Sequence, residues 1–265
     1  MITSAVDQQA GRPASPASRP SVLGSFAVPE LQPVGIQRPV GPLAPSRWAP
    51  SPPQPQYGID YSFLRWEDGE PVRWRHDRTV TVQLAAPAVS ESHVEVLAGV
   101  VVELASLTGL DLRSAPLVAG PAGPGQLPEG EIRVSYLAAG DLGWAGPAGG
   151  CASHAGTGGA RTGTDPRYFQ RGIAIINTDV AGTDPASPVA LVSLRHELGH
   201  ALGLGHAARI SQVMHRAISG RASKYGRGDC HGLALLGQPR RANREFSHDL
   251  DTMRSPLCAI CRTFP

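Results

Sequence analysis

The 265-residue sequence predicts a mixed α/β (α+β) domain, with one sheet and a few helices, between a Pro-rich N-terminal segment and a short C-terminal tail. Three observations predict it. Strand-length runs alternate or cluster apolar residues, helical spacing of apolar residues separates them, and turn formers bound each run. The opening residues share none of this: 12 of the 25 prolines precede Gln56, among Ser, Ala, Gly and Gln. Such a composition buries too little apolar surface to offset the entropy of ordering. Residues 1–57 are therefore expected to be disordered, 58–238 to form the folded domain, and 239–265 to be a solvated tail.

Residues 79–84, TVTVQL, alternate as a half-buried strand does. Ser90 or Ser92 then offers an N-cap, and Ser92 with Glu95 fits a capping box. Val94, Leu97, Val101 and Leu104 repeat at helical spacing up to Gly109, which predicts a long helix backing the sheet. Residues 110–118 and 131–136 read as further strands, the second with Ile132, Val134 and Tyr136 on one face. The Gly/Ala-rich stretch 140–163 reads as a long surface loop. Residues 172–178 form a short apolar run that ends in turn formers. Ser187 as N-cap with Pro188 at the first helical position opens a second helix, which runs to Gly203. A C-terminal helix is expected from Asp229, as N-cap, to Gly237.

The formal charge of +2 gives no basis for nucleic-acid or membrane-surface binding. No run approaches the ~20 apolar residues of a membrane span. No basic-then-apolar signal peptide opens the chain. Four cysteines (Cys151, Cys230, Cys258 and Cys261) are compatible with two disulfides and an oxidising compartment. Their pairing is not readable, and the single CxxC at Cys258 and Cys261 carries no function by itself.

Residues 196–206 read HELGHALGLGH. His196 and His200, four apart on a helix, stand on one face and can reach one metal ion together. Glu197 stands beside the first of them, placed to act as a base toward water without ligating the metal. Gly203 can adopt the left-handed conformation that turns the chain, so that His206 returns as a third ligand. Three protein ligands leave a position open, the mark of a catalytic rather than a structural zinc site. With nine histidines in the chain, the extended pattern arises by chance in roughly one such sequence in twenty thousand, so it decides the reading. The other six histidines have no such company and are read as non-ligands.

This pattern, with Met214 eight residues after His206, resembles the metzincin zinc metallopeptidases, whose motif is followed by a Met-turn. The spacing, together with Asp68 to Trp74 (DGEPVRW) and Tyr225 to Asp229 (YGRGD), is similar to the matrixin-like branch, in particular its bacterial members. The resemblance covers about residues 58–238. It implies a twisted mixed sheet with a long backing helix, an active-site helix and a C-terminal helix. It also implies one catalytic Zn2+ on His196, His200 and His206, Glu197 as general base, and hydrolysis of protein or peptide substrates. Gly172, Ile173, Ala174 and Ile175 would be the edge strand that binds substrate, and residues 215–225 the specificity-pocket wall. A secreted or cell-surface monomer is expected. No second, structural zinc and no calcium site is evident, and Arg216 stands where matrixins often have proline. Two other functions remain open at this point: an inactive zinc-binding relative, which an intact Glu197 disfavours, and a Pro-rich scaffold.

Overall fold

The computed structural model describes residues 53–85, 89–118, 120, 126–141, 155–218 and 222–240. Its contacts divide the chain into Met1–Ser51 and Pro52–Pro265, and every described residue belongs to the second unit. The expectations for residues 1–52 and 241–265 lie outside the described residues, as do Cys151, Cys258 and Cys261.

The architecture is mixed α/β. A small hairpin pairs β1 (Trp66–Glu67) with β2 (Glu70–Pro71), turning through Asp68 and Gly69, both at positive φ. The main sheet contains β3 (Arg73–Trp74), β4 (Val80–Ala85), β5 (Leu112–Val118), β6 (Glu131–Leu137), β7 (Gly156–Thr162) and β8 (Tyr168–Asn177). Its order is β3-β8-β6-β4-β5, with β7 also on β8. Every pairing is parallel except the antiparallel β7–β8 ladder. β5 is an edge strand, which is where the ladder tolerates Pro116.

Helix α1 (Glu91–Thr108) follows β4 and lies over β4 and β5; the short α2 (Thr178–Ala181) ends β8. Helix α3 (Pro188–Leu202) lies over β7 and β8, and α4 (Arg227–Leu236) touches both long helices. Leu97, Leu104, Ile132, Ile176, Leu194 and Leu233, each nearly inaccessible, join sheet and helices in one core. Burying such a side chain contributes about 1.5–3 kcal/mol.

The expected caps hold at three ends. Ser187 accepts from the Ala190 N–H with Pro188 following it, while Gly109 (φ 72°) and Gly203 (φ 114°) end α1 and α3 in left-handed conformations. Elsewhere the structure corrects the sequence reading. The N-cap of α1 is Ser90, whose N–H donates to His93 Nδ1, so His93 rather than Glu95 closes the box. The buried stripe runs His93, Leu97, Val100, Val101, Leu104 and Thr108, leaving Val94 46% exposed. Residues 156–162 are a strand, not loop. Arg240, read as solvated tail, donates to the Glu67 carbonyl and ion-pairs with Glu70, so the folded unit reaches past 238. It also begins before 58, since Tyr57 stacks edge-on with Tyr61 and Trp66. Cys230 is a buried thiol whose Sγ donates to the Tyr225 carbonyl.

Candidate metal centre

Helix α3 carries His196 and His200 one turn apart, both buried, and Gly203 then bends the chain so that exposed His206 comes back over them. The three imidazoles converge as the spacing predicts. His200 Nε2 lies 3.1 Å from His196 Nε2 and 3.3 Å from His206 Nε2. Their other nitrogens face outward: His196 Nδ1 is 2.8 Å from the Val213 carbonyl and His200 Nδ1 is 2.7 Å from the Leu204 carbonyl. A carbonyl only accepts, so each Nδ1 carries the proton and each neutral ring turns the lone pair of Nε2 inward. Burial, with the neighbouring imidazoles, holds His200 down to about 3, and burial lowers His196 as well, which keeps both rings neutral near pH 7.

Two inward lone pairs about 3 Å apart repel unless they share a cation. Two nitrogens bound at 2.0–2.1 Å to one tetrahedral ion would stand about 3.3–3.4 Å apart. The donor set therefore fits a single zinc-sized ion, and the carbonyl partners supply the outer support that fixes ligand tautomers.

Glu197, between the two helical histidines, is 4% exposed, and burial pushes its carboxyl up to about 8. Strand β7 lies directly against it. A Cβ added at Gly156 would fall 2.7 Å from Glu197 Cγ and 2.8 Å from Oε1; one at Gly158 would fall 2.9 Å from Glu197 Cα and 2.9 Å from Oε2. Only a backbone without side chains on that face passes so close to the carboxylate.

Met214, 1% exposed, packs against Gly199 of α3, where an added Cβ would meet its Sδ and, at 3.2 Å, its Cε. The turn bearing Met214 is fixed by Asp229, whose carboxylate accepts from the N–H groups of Val213 (2.7 Å), Met214 (3.3 Å) and Gly226 (2.9 Å). Asp229 is fully buried at the third position of α4, with Gly226 at the N-cap, rather than serving as the cap itself. Burial pushes its carboxyl up to about 6, the three N–H donors pulling the other way.

Gly172, Ile173, Ala174 and Ile175 are not an edge. In β8 they pair with Ile132 to Ser135 of β6 on one side and with Gly159, Gly158 and Thr157 of β7, among others, on the opposite side. Both rows of backbone groups are consumed, so no peptide can add there. Among the described residues β3, β5 and β7 each have a single partner in the main sheet, and of these it is β7 whose glycines lie against Glu197. Of the expected pocket wall, residues 219–221 lie outside the described residues, and Tyr225 is buried with its hydroxyl donating 2.6 Å to the Arg195 carbonyl. A separate hollow of about 300 Å³, lined by Trp74, Arg78, Glu129, Asp165 and Tyr168, opens at the opposite ends of the parallel strands.

Sequence reasoning missed Gly156, Gly158 and Asp229. The alternate glycines of GTGGART were the available sign of a strand in close backbone contact. For Asp229, the sign was an acidic residue in a first helical turn.

No protein-family model and no curated protein matches the chain. Among solved structures, it is similar to high choriolytic enzyme 1, a hatching enzyme zinc-protease from Oryzias latipes (medaka fish). That likeness covers 67% of this chain and 100% of the other at 13% identity and a TM-score of 0.36, too slight to carry an activity across.

Proposed function

We propose that the chain is a zinc-dependent endopeptidase of the metzincin type, in its matrixin-like branch, and that the folded unit is its catalytic domain. The observation that carries the reading is the convergence of three Nε2 atoms at 3.1 and 3.3 Å with two Nδ1 atoms committed to carbonyls. His196, His200 and His206 would hold one Zn2+. When bound, that ion supplies Lewis acidity, lowering the pKa of water toward ~7 and stabilising charge on a carbonyl oxygen.

The chain's own groups do the rest. The Glu197 carboxyl, which burial alone holds up to about 8 and which the charge of a cation held by the three histidines would return to its ionised form, takes a proton from the attacking water as that water's oxygen adds to the scissile carbonyl carbon. It then delivers that proton to the departing amide nitrogen as the C–N bond breaks, a role worth ~10² to 10⁴ in rate. No side chain forms a covalent link to the substrate. An extended peptide would add to the outer edge of β7, held by backbone hydrogen bonds and brought over Glu197 by Gly156 and Gly158. This assigns to β7 the role first read for residues 172–175. The DGEPVRW and YGRGD segments and Met214 support the matrixin-like assignment, and a secreted or cell-surface location belongs to the same proposal on that resemblance.

Among the described residues no helix is long and apolar enough to cross a membrane. The test is zinc content together with casein hydrolysis, with and without a chelator. Protein that binds zinc but leaves casein and a denatured-protein panel uncut would favour the inactive zinc-binding alternative. Protein that binds no zinc would sink the reading entirely.

A further inference from the structure

His196 and His200 ride on a helix, but His206 rides on a turn, and a ligand on a turn is only as well placed as what holds that turn. Residues 59–64 hold it. Leu64 N–H donates 2.9 Å to the Gly203 carbonyl, Phe63 bridges Leu204, and Gly205 N–H donates 2.9 Å to the Ser62 carbonyl. The Ser62 hydroxyl donates 2.7 Å to the carbonyl of His206 itself. Beyond the ligand, the N–H groups of Ala208 and Arg209 donate 2.9 and 3.0 Å to the Ile59 carbonyl, and Arg209 ion-pairs with Asp60.

The segment is itself anchored. Tyr61 and Phe63 are buried, the Tyr61 ring stands edge-on to His231 of α4 at 5.0 Å, a Cβ on Gly228 would collide with the Asp60 backbone, and one on Gly232 would lie 3.3 Å from Tyr61. The fit against the turn is equally close. A Cβ on Gly205 would collide with Ser62 Oγ and reach Phe63 O at 3.1 Å.

We propose that residues 59–64 are a strap that positions the third metal ligand, with the Ser62 hydroxyl as the positioning residue on the His206 backbone. This rests on the metal reading above. Helix α3 presents two ligands by its own periodicity, whereas the third is set by a segment more than 140 residues earlier in the chain.

The test is zinc affinity of the full chain, measured by chelator competition, for wild type, Ser62→Ala and Gly205→Ala, with melting of each metal-free protein measured in parallel. Supporting groups around metal ligands typically set affinity by 10–100-fold. Ser62→Ala, which removes one exposed hydrogen bond, is expected to weaken zinc about tenfold while the metal-free melting temperature stays close to wild type. Gly205→Ala, which pushes the strap off the turn, is expected to weaken zinc further. Wild type that holds zinc while both variants hold it equally tightly would overturn the strap and leave the metal reading standing. Equal loss of metal-free and zinc-bound stability with unchanged affinity would also overturn it, by making Ser62 an ordinary structural contact. Wild type that holds no zinc would remove the metal reading itself.

Discussion

Replacing Gly158 with alanine adds one carbon where β7 crosses Glu197. That carbon would lie 2.9 Å from Glu197 Cα and 2.9 Å from Oε2, and closer still to the Glu197 carbonyl oxygen. Ordinary contacts begin near 3.4 Å. Helix α3 is clamped at this level by Met214 and by the core, so it is β7, an edge strand, that must give way by roughly 0.5–1 Å. Overpacking of this kind costs about 1–3 kcal/mol, which a domain with this core survives. Misplacing a substrate by ~1 Å relative to its catalytic group can cost ~10²-fold. The expected outcome is a folded protein that retains zinc, with kcat/KM on a fluorogenic peptide reduced about 10- to 100-fold. Gly159→Ala is the control, because an added Cβ there meets nothing within 4 Å, and it should stay within about twofold of wild type. Wild-type turnover in Gly158→Ala, or equal losses in both variants, would refute the assignment of β7 as the strand that brings substrate to Glu197.

Glu197→Gln should lower peptide hydrolysis by ~10² or more while leaving zinc content unchanged, as metal analysis beside a turnover assay would show; a retained tenth of wild-type turnover contradicts the base assignment. The same variant has a signature in chelator-treated protein. Wild-type Glu197 has its folded pKa raised from 4.5 to about 8, so its stability contribution is whole below about 4.5 and is lost as pH rises through 8. Glutamine cannot ionise, so the melting advantage of Glu197→Gln should grow across that window and level off above it. His206→Ala should lose activity, hold zinc weakly by metal analysis and show no zinc-dependent rise in melting temperature, because a ligand to the native state alone stabilises it. Asp229→Asn, although isosteric, sets an amide among three N–H donors; a loss of about 1–3 kcal/mol in urea unfolding is expected, and an unchanged midpoint would contradict the carboxylate's role.

The three-histidine cluster was legible because its geometry is local: HELGHALGLGH needs only helical geometry and one left-handed glycine to bring its nitrogens together. Helices α1 and α3 were legible for the same reason, through apolar spacing and caps at Ser187, Gly109 and Gly203. What failed was long-range. Strand β7 has no alternation of large apolar residues, because its inner face stays bare against Glu197, so the feature that lets it pass the carboxylate also hides it. Residues 172–175 were given the edge role through the family resemblance alone, whereas their apolarity on both faces is the mark of an interior strand. Asp229 looked like a cap because its three acceptor contacts depend on where the 213–214 turn arrives, which no local window contains.

The chain of contacts through Asp229 has a consequence for when the site comes into being. Ribosomes deliver His196, Glu197, His200 and His206 before Asp229. Until that carboxylate arrives, the N–H groups of Val213 and Met214 have lost their buried acceptor. The Val213 carbonyl beside His196 Nδ1, and the Met214 side chain against Gly199, then lack the buried carboxylate that fixes their turn. A growing polypeptide thus carries all three histidines while lacking the carboxylate that fixes the turn beside them. Assembly of the centre is tied to the docking of α4 rather than to the appearance of the motif.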